Sequence, residues 1–294
     1  VIDLFVEPYS LAFMQRALAA AVMIGIVAPL VGVWVVLRRL AYLGDAMGHG
    51  TIAGVAVAYL VGASIVLGAL AAALAMALLL GLLMTHPRIR SDSAIAGAEV
   101  ALFAGGILLL VISGGTRVEI SHLLFGSVLT VSSGDLLANL LIAGVIVVAL
   151  AVLGRDLRDA TFDPIGARLS GIRVSLIEWA LLVMVGGVVV VALQTIGLLM
   201  TIAMLVLPAA AARLWVRTVV GMSLLGVAFG VGTAVIGLTV AYHAGLPSGA
   251  VIAALTAVVL GVSAVATMRR RRTRPVAHLP EAPGSGASAR RHAS

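Results

Sequence analysis

Nine stretches of roughly twenty mostly apolar residues, joined by short polar connections, dominate this chain, and each is about as long as a helix that crosses a bilayer. They fall at about 11–37, 45–62, 65–85, 94–113, 135–154, 175–193, 196–213, 218–243 and 248–268. In hydrocarbon each backbone N–H and C=O must find its partner within the protein, so such stretches form helices. With 62% of its residues hydrophobic and 11% charged, the chain is far from the composition of a soluble domain. The expected fold is all-α, a polytopic membrane helix bundle of eight to nine spans. Two divisions are less sharply marked, the turn Gly62-Ala63-Ser64 and the break at Gln194-Thr195. The apolar run from His122 to Leu129 is too short to cross and reads as interfacial or re-entrant.

Charge placement gives the orientation. All 19 basic residues are Arg. With nine spans, one side receives Arg38, Arg39, Arg88, Arg90, Arg155, Arg158, Arg168, Arg173, Arg213, Arg217 and every Arg from Arg269 onward, while the other receives Arg16 and Arg117. By the positive-inside rule the N-terminus is outside and the C-terminus cytoplasmic. The net charge of +7 is thus explained by membrane orientation; with 4% aromatics and no soluble basic domain, nucleic acid is not an expected partner. No basic segment precedes the first apolar run, so a cleaved signal peptide is not expected. Residues 1–268 read as the transmembrane domain. Residues 269–294, rich in Arg, Pro, Gly, Ser and Ala, read as a basic, disordered cytoplasmic tail whose Arg cluster meets anionic lipid.

There is no Cys, which excludes disulfides and thiol chemistry. Against this background Asp45 and His49 stand out. They lie four residues apart at the start of an apolar segment, so a helix puts both on one face. Carboxylate oxygen and imidazole nitrogen suit zinc or manganese, and ionisable groups in a membrane segment are costly enough to suggest a role. The same pair also fits a helix start at the lipid interface, with Asp45 capping amides and His49 bonded to a neighbouring helix. Glu99 and Glu178 each lie about a turn inside their spans, where the helix macrodipole favours a carboxylate and Arg90 or Arg173 is in reach. His243, near the outer end of the eighth span, reads either as structural or as a further ligand. The Gly residues at 186, 187, 226, 230 and 232 are expected to allow close helix packing. Pro208 is expected to kink the seventh span.

The longest polar connection, Arg155 to Arg173, contains Asp163 and Pro164 in N-cap and first-helical positions and Gly171 as a stop. It predicts a short helix outside the membrane, about 163–171, with Ile165 and Leu169 on one face. That apolar face suits docking onto the protein's own body or onto a partner.

Several of these stretches together resemble the membrane permease of the ATP-binding-cassette importers for zinc and manganese. Arg38-Arg39, Gly44-Asp45-Ala46 and His49 are similar to that family's opening motif. Asp92 to Gly97 with Phe103-Ala104, Leu124 to Val131 with Asp135, Phe162-Asp163-Pro164 with Ala167-Arg168 and Gly171, and Leu207-Pro208-Ala209 to Leu214 follow in the family's order. The resemblance implies a pathway formed by a homodimer, two separate ATPase subunits beneath it, and an extracytoplasmic metal-binding protein, all at the bacterial inner membrane. It implies that the 163–171 segment is a coupling helix, with Phe162, Asp163, Pro164, Ile165, Ala167, Arg168, Leu169 and Gly171 meeting the ATPase. The chain has no Gly-x-x-x-x-Gly-Lys phosphate loop and no Lys, so ATP hydrolysis is expected on another polypeptide and the chain is not an enzyme.

Departures bear on the metal. Gly48 replaces the family's Ser, Gly245 stands where the family often has Asp, His243 adds an imidazole, and Glu99 adds an acid. The expected pathway residues are Asp45, His49, His243 and Glu99. The transported metal is zinc or next manganese, zinc favoured by the exchange of an acid at 245 for an imidazole at 243; no permanent cofactor is expected. Two other functions compete. A proton-coupled secondary metal transporter would use Asp45, Glu99 or Glu178 as proton carriers. An intramembrane zinc hydrolase lacks a His-Glu-x-x-His motif and a general base.

Overall fold

A computed structural model describes residues 8–86, 88–112 and 132–272. After a 3-10 turn at Pro8–Ser10, the described residues form ten helices: α1 (Ala12–Leu37), α2 (Leu43–Leu60), α3 (Ile65–Met84), α4 (Ser91–Ile112), α5 (Ser133–Phe162), α6 (Pro164–Leu169), α7 (Val174–Ile196), α8 (Leu198–Trp215), α9 (Val219–Ala244) and α10 (Ser248–Arg272). There is no strand among the described residues. The fold is the all-α membrane bundle expected. Seven helices, α1, α3, α4, α5, α7, α9 and α10, are long and apolar enough to cross a membrane by length and composition. Helices α2 and α8 occupy the expected second and seventh spans, each 18 residues long. Neither is among the seven: α2 carries Asp45, His49 and several glycines, and the apolar run described in α8, Met200–Trp215, is shorter than the others.

Three expected boundaries move, the furthest at α5, which runs to Phe162 instead of 154 and takes in the first part of the expected Arg155–Arg173 connection. The sixth and seventh spans divide at Gly197, not at Gln194-Thr195: Gly197 has φ 78° and ψ 168°, a conformation that breaks the helix and that a side chain resists. Helix α10 continues to Arg272, so the first four arginines of the basic run extend the last helix by about one turn. The His122–Leu129 segment, Arg117, and residues 273–294 lie outside the described residues.

Helices α1 and α7 form the centre, each with 67% of its membrane window buried against 17% for α5. Helix α1 packs on α9, α8, α7 and α5; α7 packs on α3, α1, α5, α2 and α8; α2, α3 and α4 pack on one another. Lipid gives apolar helices little reason to prefer each other, so small residues decide which backbones approach. A side chain on Gly32 of α1 would overlap the Leu205 carbonyl of α8, and one on Gly54 of α2 would overlap the Gly68 carbonyl of α3. Pro29 removes the N–H that would have bonded the Gly25 carbonyl. Gly230 of α9 lies directly against that freed oxygen, where a Cβ would collide with it. Gly186, Gly187 and Gly226 also lie at helix contacts, as expected; Gly232 does not, having nothing within 4 Å of its Cβ position. Pro208 is buried inside α8, which continues as helix on both sides of it.

Four helices end with the same turn, a residue at positive φ followed by an N–H that bonds five residues back. Gly62, Gly171 and Gly245 supply that residue for α2, α6 and α9. In α1 it is Arg39 at φ 60°, with Leu40 N bonding Val35 O at 2.9 Å, a conformation that costs a non-glycine residue about 1 kcal/mol. This turn sends the chain straight into α2.

Contacts between loops fix the two ends of the bundle. Arg38 Nε donates to Thr161 Oγ1 at 3.0 Å and Arg213 Nη1 to Val36 O at 3.2 Å, so the ends of α1, α5 and α8 and the start of α2 share one face. Tyr9 Oη and Thr239 Oγ1, 2.8 Å apart, join the start of α1 to the end of α9 at the other.

Candidate metal site

The site is built by α2 and α4, which run parallel and touch through small residues. A Cβ on Gly106 of α4 would stand 2.6 Å from Ala53 Cα of α2, so the two backbones nearly meet there. One turn back along both helices, His49 faces Phe103, with ring centroids 5.4 Å apart and planes at 78°. Two turns back, Asp45 and Glu99 stand at the same height. The i,i+4 spacing expected of Asp45 and His49 is thus realised on the face that α4 covers, and the register of α4 adds a third group.

Distances are short throughout. His49 Nδ1 lies 3.3 Å from Asp45 Oδ1 and 3.3 Å from Glu99 Oε1, and 3.2 Å from the Asp45 carbonyl oxygen. One donor atom from each of Asp45, His49 and Glu99 can be chosen so that all lie within 4.8 Å of one another. Metal–ligand bonds to such oxygens and nitrogens are about 2.0–2.2 Å, so donors around one ion stand at most ~4.4 Å apart; small rotamer shifts bring this set to that spacing. The three side chains are partly enclosed, 14% exposed for Glu99 and 23% and 29% for Asp45 and His49. Two ionised carboxylates and a neutral imidazole carry two negative charges, which a divalent cation cancels. Without a cation, two acids this close in a low-dielectric segment repel.

Tyr42, half-exposed just ahead of α2, donates its hydroxyl to Glu99 Oε2 at 2.7 Å. That hydrogen bond is the main reason its phenol is pushed up to about 12, so Tyr42 stays a donor throughout the physiological range. Phe103, four residues after Glu99, covers the His49 ring on the side away from the Arg-bearing end. Neither Tyr42 nor Phe103 was expected at the site. Their sequence signal is only spacing, Tyr42 three residues before Asp45 and Phe103 four after Glu99, which becomes legible once α2 and α4 are known to be parallel neighbours.

The other expected residues fall elsewhere. His243 is exposed at the end of α9, at the opposite end of the bundle from Asp45, with its ring edge-on to Tyr242 at 5.3 Å. It is not a member of the donor cluster. The position expected to carry an acid in the family, Gly245, is the residue at φ 63° that ends α9. Glu99 has Tyr42 and His49 as partners instead of Arg90. Glu178 acts electrostatically on Arg38, whose guanidinium is pushed below its usual range by burial and drawn back up by that carboxylate.

A second set of expected residues gathers at the Arg-bearing end. Asp163 caps α6, accepting from Gly166 N at 2.9 Å, and Pro164 takes the first helical position. The helix covers Pro164–Leu169 and turns out at Gly171, φ 85°. Ala167 is buried, while Phe162, Ile165 and Leu169 are 62%, 72% and 85% exposed. These three make an apolar knob beside the exposed Arg168.

Comparison with known proteins places the chain in a family. A model of the ABC 3 transport family matches residues 10–267. The chain is 37% identical over 248 residues to the manganese transport system membrane protein MntC of Halalkalibacterium halodurans, covering 84% of this chain and 85% of that one. It is 30% identical to the manganese import system permease protein ScaB of Streptococcus gordonii, covering 85% and 90%. Among solved structures, PsaBC from Streptococcus pneumoniae in complex with Fab aligns with a TM-score of 0.79 and 29% identity, over 90% of this chain and 95% of that one. An inward-facing metal-chelate type ABC transporter aligns at 0.71 with 18% identity, a likeness of fold. The chain belongs to the ABC 3 transport family, as a multi-pass membrane permease subunit and not an enzyme.

Proposed function

We propose that this chain is the membrane permease of an ATP-driven importer of divalent transition metal, manganese in the first place, at the bacterial inner membrane. The observation that carries the reading is the convergence of Asp45, His49 and Glu99. Two carboxylates and one imidazole form an oxygen-rich set, which suits manganese better than zinc. The sequence argument for zinc rested on an acid lost at Gly245 and an imidazole gained at His243, and both positions lie at the other end of the bundle from this cluster. Relatives named for manganese transport support the same choice.

The remaining parts follow from charge and exposure and from membership of the family. The Arg-bearing end faces the cytoplasm, and the apolar knob of α6 there is the seat of a separate ATPase, since this chain has no phosphate loop and no Lys. Two copies form the pathway, and a metal-binding protein delivers the ion from outside. The ion meets His243 near the outer mouth and the Asp45–His49–Glu99 cluster near the inner one, successive contacts that suit conduction, where no stop holds too tightly.

The test is uptake of radiolabelled manganese by vesicles that hold this chain with its ATPase. ATP-dependent accumulation that persists when the proton gradient is collapsed is expected. Uptake that follows the proton gradient and ignores ATP would overturn the reading in favour of a secondary transporter, and ATP turnover by the purified chain alone would overturn the division of labour.

A further inference from the structure

We propose that Tyr42 is a positioning residue for metal binding, holding Glu99 by one oxygen so that the other is presented to the ion beside Asp45 and His49. The proposal rests on the reading of Asp45, His49 and Glu99 as the metal contacts. The geometry is specific. Glu99 Oε2 accepts from the Tyr42 hydroxyl at 2.7 Å, while Oε1 stands 3.3 Å from His49 Nδ1. The two oxygens of one carboxylate are thereby given different partners. A glutamate on a helix otherwise has three side-chain torsions to settle, and loses rotamer freedom each time it ligates. The phenol settles them in advance, in the direction of α2.

The position of Tyr42 fits that work. It precedes the first residue of α2 and lies one turn ahead of Asp45, so it reaches α4 from the same helix start that places the first ligand. The Tyr42 ring is 49% exposed, so little of it serves the core. Its hydroxyl is the part of the side chain that reaches α4. Hydrogen-bond partners behind a ligating carboxylate orient it and tune its basicity, and their loss costs about 10–100-fold in metal affinity or activity. By the same hydrogen bond Tyr42 leaves Glu99 a single free oxygen, which keeps the ligand monodentate and releasable, as transport requires.

The experiment measures ATP-driven manganese uptake against manganese concentration in vesicles that hold the permease and its ATPase, for wild type, Tyr42→Phe, Glu99→Ala and the double variant. Tyr42→Phe removes one oxygen from a half-exposed ring. It is expected to raise the half-saturating manganese concentration about tenfold while the maximal rate changes much less. In the Glu99→Ala background the same substitution is expected to add nothing, because the group it acts through is gone. A half-saturating concentration equal to wild type in Tyr42→Phe would overturn the proposal, and so would Tyr42 and Glu99 effects that multiply as independent sites do. Half-saturation does not depend on how much protein is inserted, so a variant present at a lower level still decides. Wild-type uptake by Asp45→Ala and Glu99→Ala would instead sink the metal-site reading itself, an outcome separable from failure of Tyr42 alone.

Discussion

Arg38 Nε donates to Thr161 Oγ1 at 3.0 Å, joining the turn ahead of α2 to the last turn of α5. One end of this link leads within seven residues to Asp45, and the other within two to Asp163 and α6. The Thr161 hydroxyl donates onward to the Leu157 carbonyl, and Arg38 Nη2 is buried without a hydrogen-bond partner. A hydrogen bond to a charged group contributes about 1.5–3 kcal/mol. Thr161→Val is therefore expected to lower the melting temperature of the purified permease and to reduce uptake more than ATP hydrolysis in the assembled transporter. Equal melting and equal uptake per ATP would mean the link is idle.

At α6 the expectation concerns assembly. Ile165 and Leu169 are exposed in this chain, so Asp at either position leaves its own fold intact. Burying such side chains against an ATPase is worth about 1.5–3 kcal/mol each, and a carboxylate in their place adds a desolvation cost. Ile165→Asp with Leu169→Asp should abolish co-purification of the ATPase at micromolar concentrations and abolish uptake. Intact co-purification with intact uptake would show α6 to be a connector only.

Membrane spans were legible because hydrocarbon leaves one solution for an apolar run, and the helices fall within a few residues of the expected bounds except at the end of α5, where the helix continues through polar residues to Phe162. The break between α7 and α8 was misplaced because apolar residues continue through it; a backbone torsion at Gly197, not hydropathy, ends α7. Asp45 and His49 were legible as a pair because four residues make a helix turn. Their meeting with Glu99 was not, since it depends on the parallel register of α2 and α4, which the Ala53–Gly106 contact sets and no periodicity encodes. His243 was legible as a residue near the outer end of its span, apart from Asp45 and His49, and it lies in the last turn of α9. Gly232 looked like its neighbours Gly226 and Gly230 in sequence, yet only those two face α1.

Helix contacts through glycine give a prediction about stability. At Gly32 a methyl group would overlap the Leu205 carbonyl of α8, which is backbone and cannot step aside. Gly32→Ala should lower stability by about 1–3 kcal/mol, the usual range for overpacking, and reduce the amount of folded permease. Gly97 of α4 has nothing within 4 Å of its Cβ position, so Gly97→Ala should be tolerated at full level. Fluorescence-detected size-exclusion profiles after heating compare the two; equal survival would refute the close approach of α1 and α8.

The donor set itself makes the sharpest prediction about substrate. Asp45→Ala removes a charge that offsets the dehydration of any divalent ion, so uptake of manganese and zinc should both fall strongly, by a factor of ten or more, since losing a group that only supports a ligand already costs about 10–100-fold. His49→Ala removes the nitrogen and leaves two carboxylates; zinc uptake should fall more than manganese uptake. Glu99→Gln keeps an oxygen and the size of the side chain but loses the charge, and should harm manganese more than zinc. The measurement is competitive uptake of the two radiolabelled metals in the same vesicles, with membrane level and ATPase assembly followed in parallel. A common loss for both metals in all three variants would mean the groups hold the helices and do not choose the ion. Full transport by all three would move the metal path away from α2 and α4 altogether.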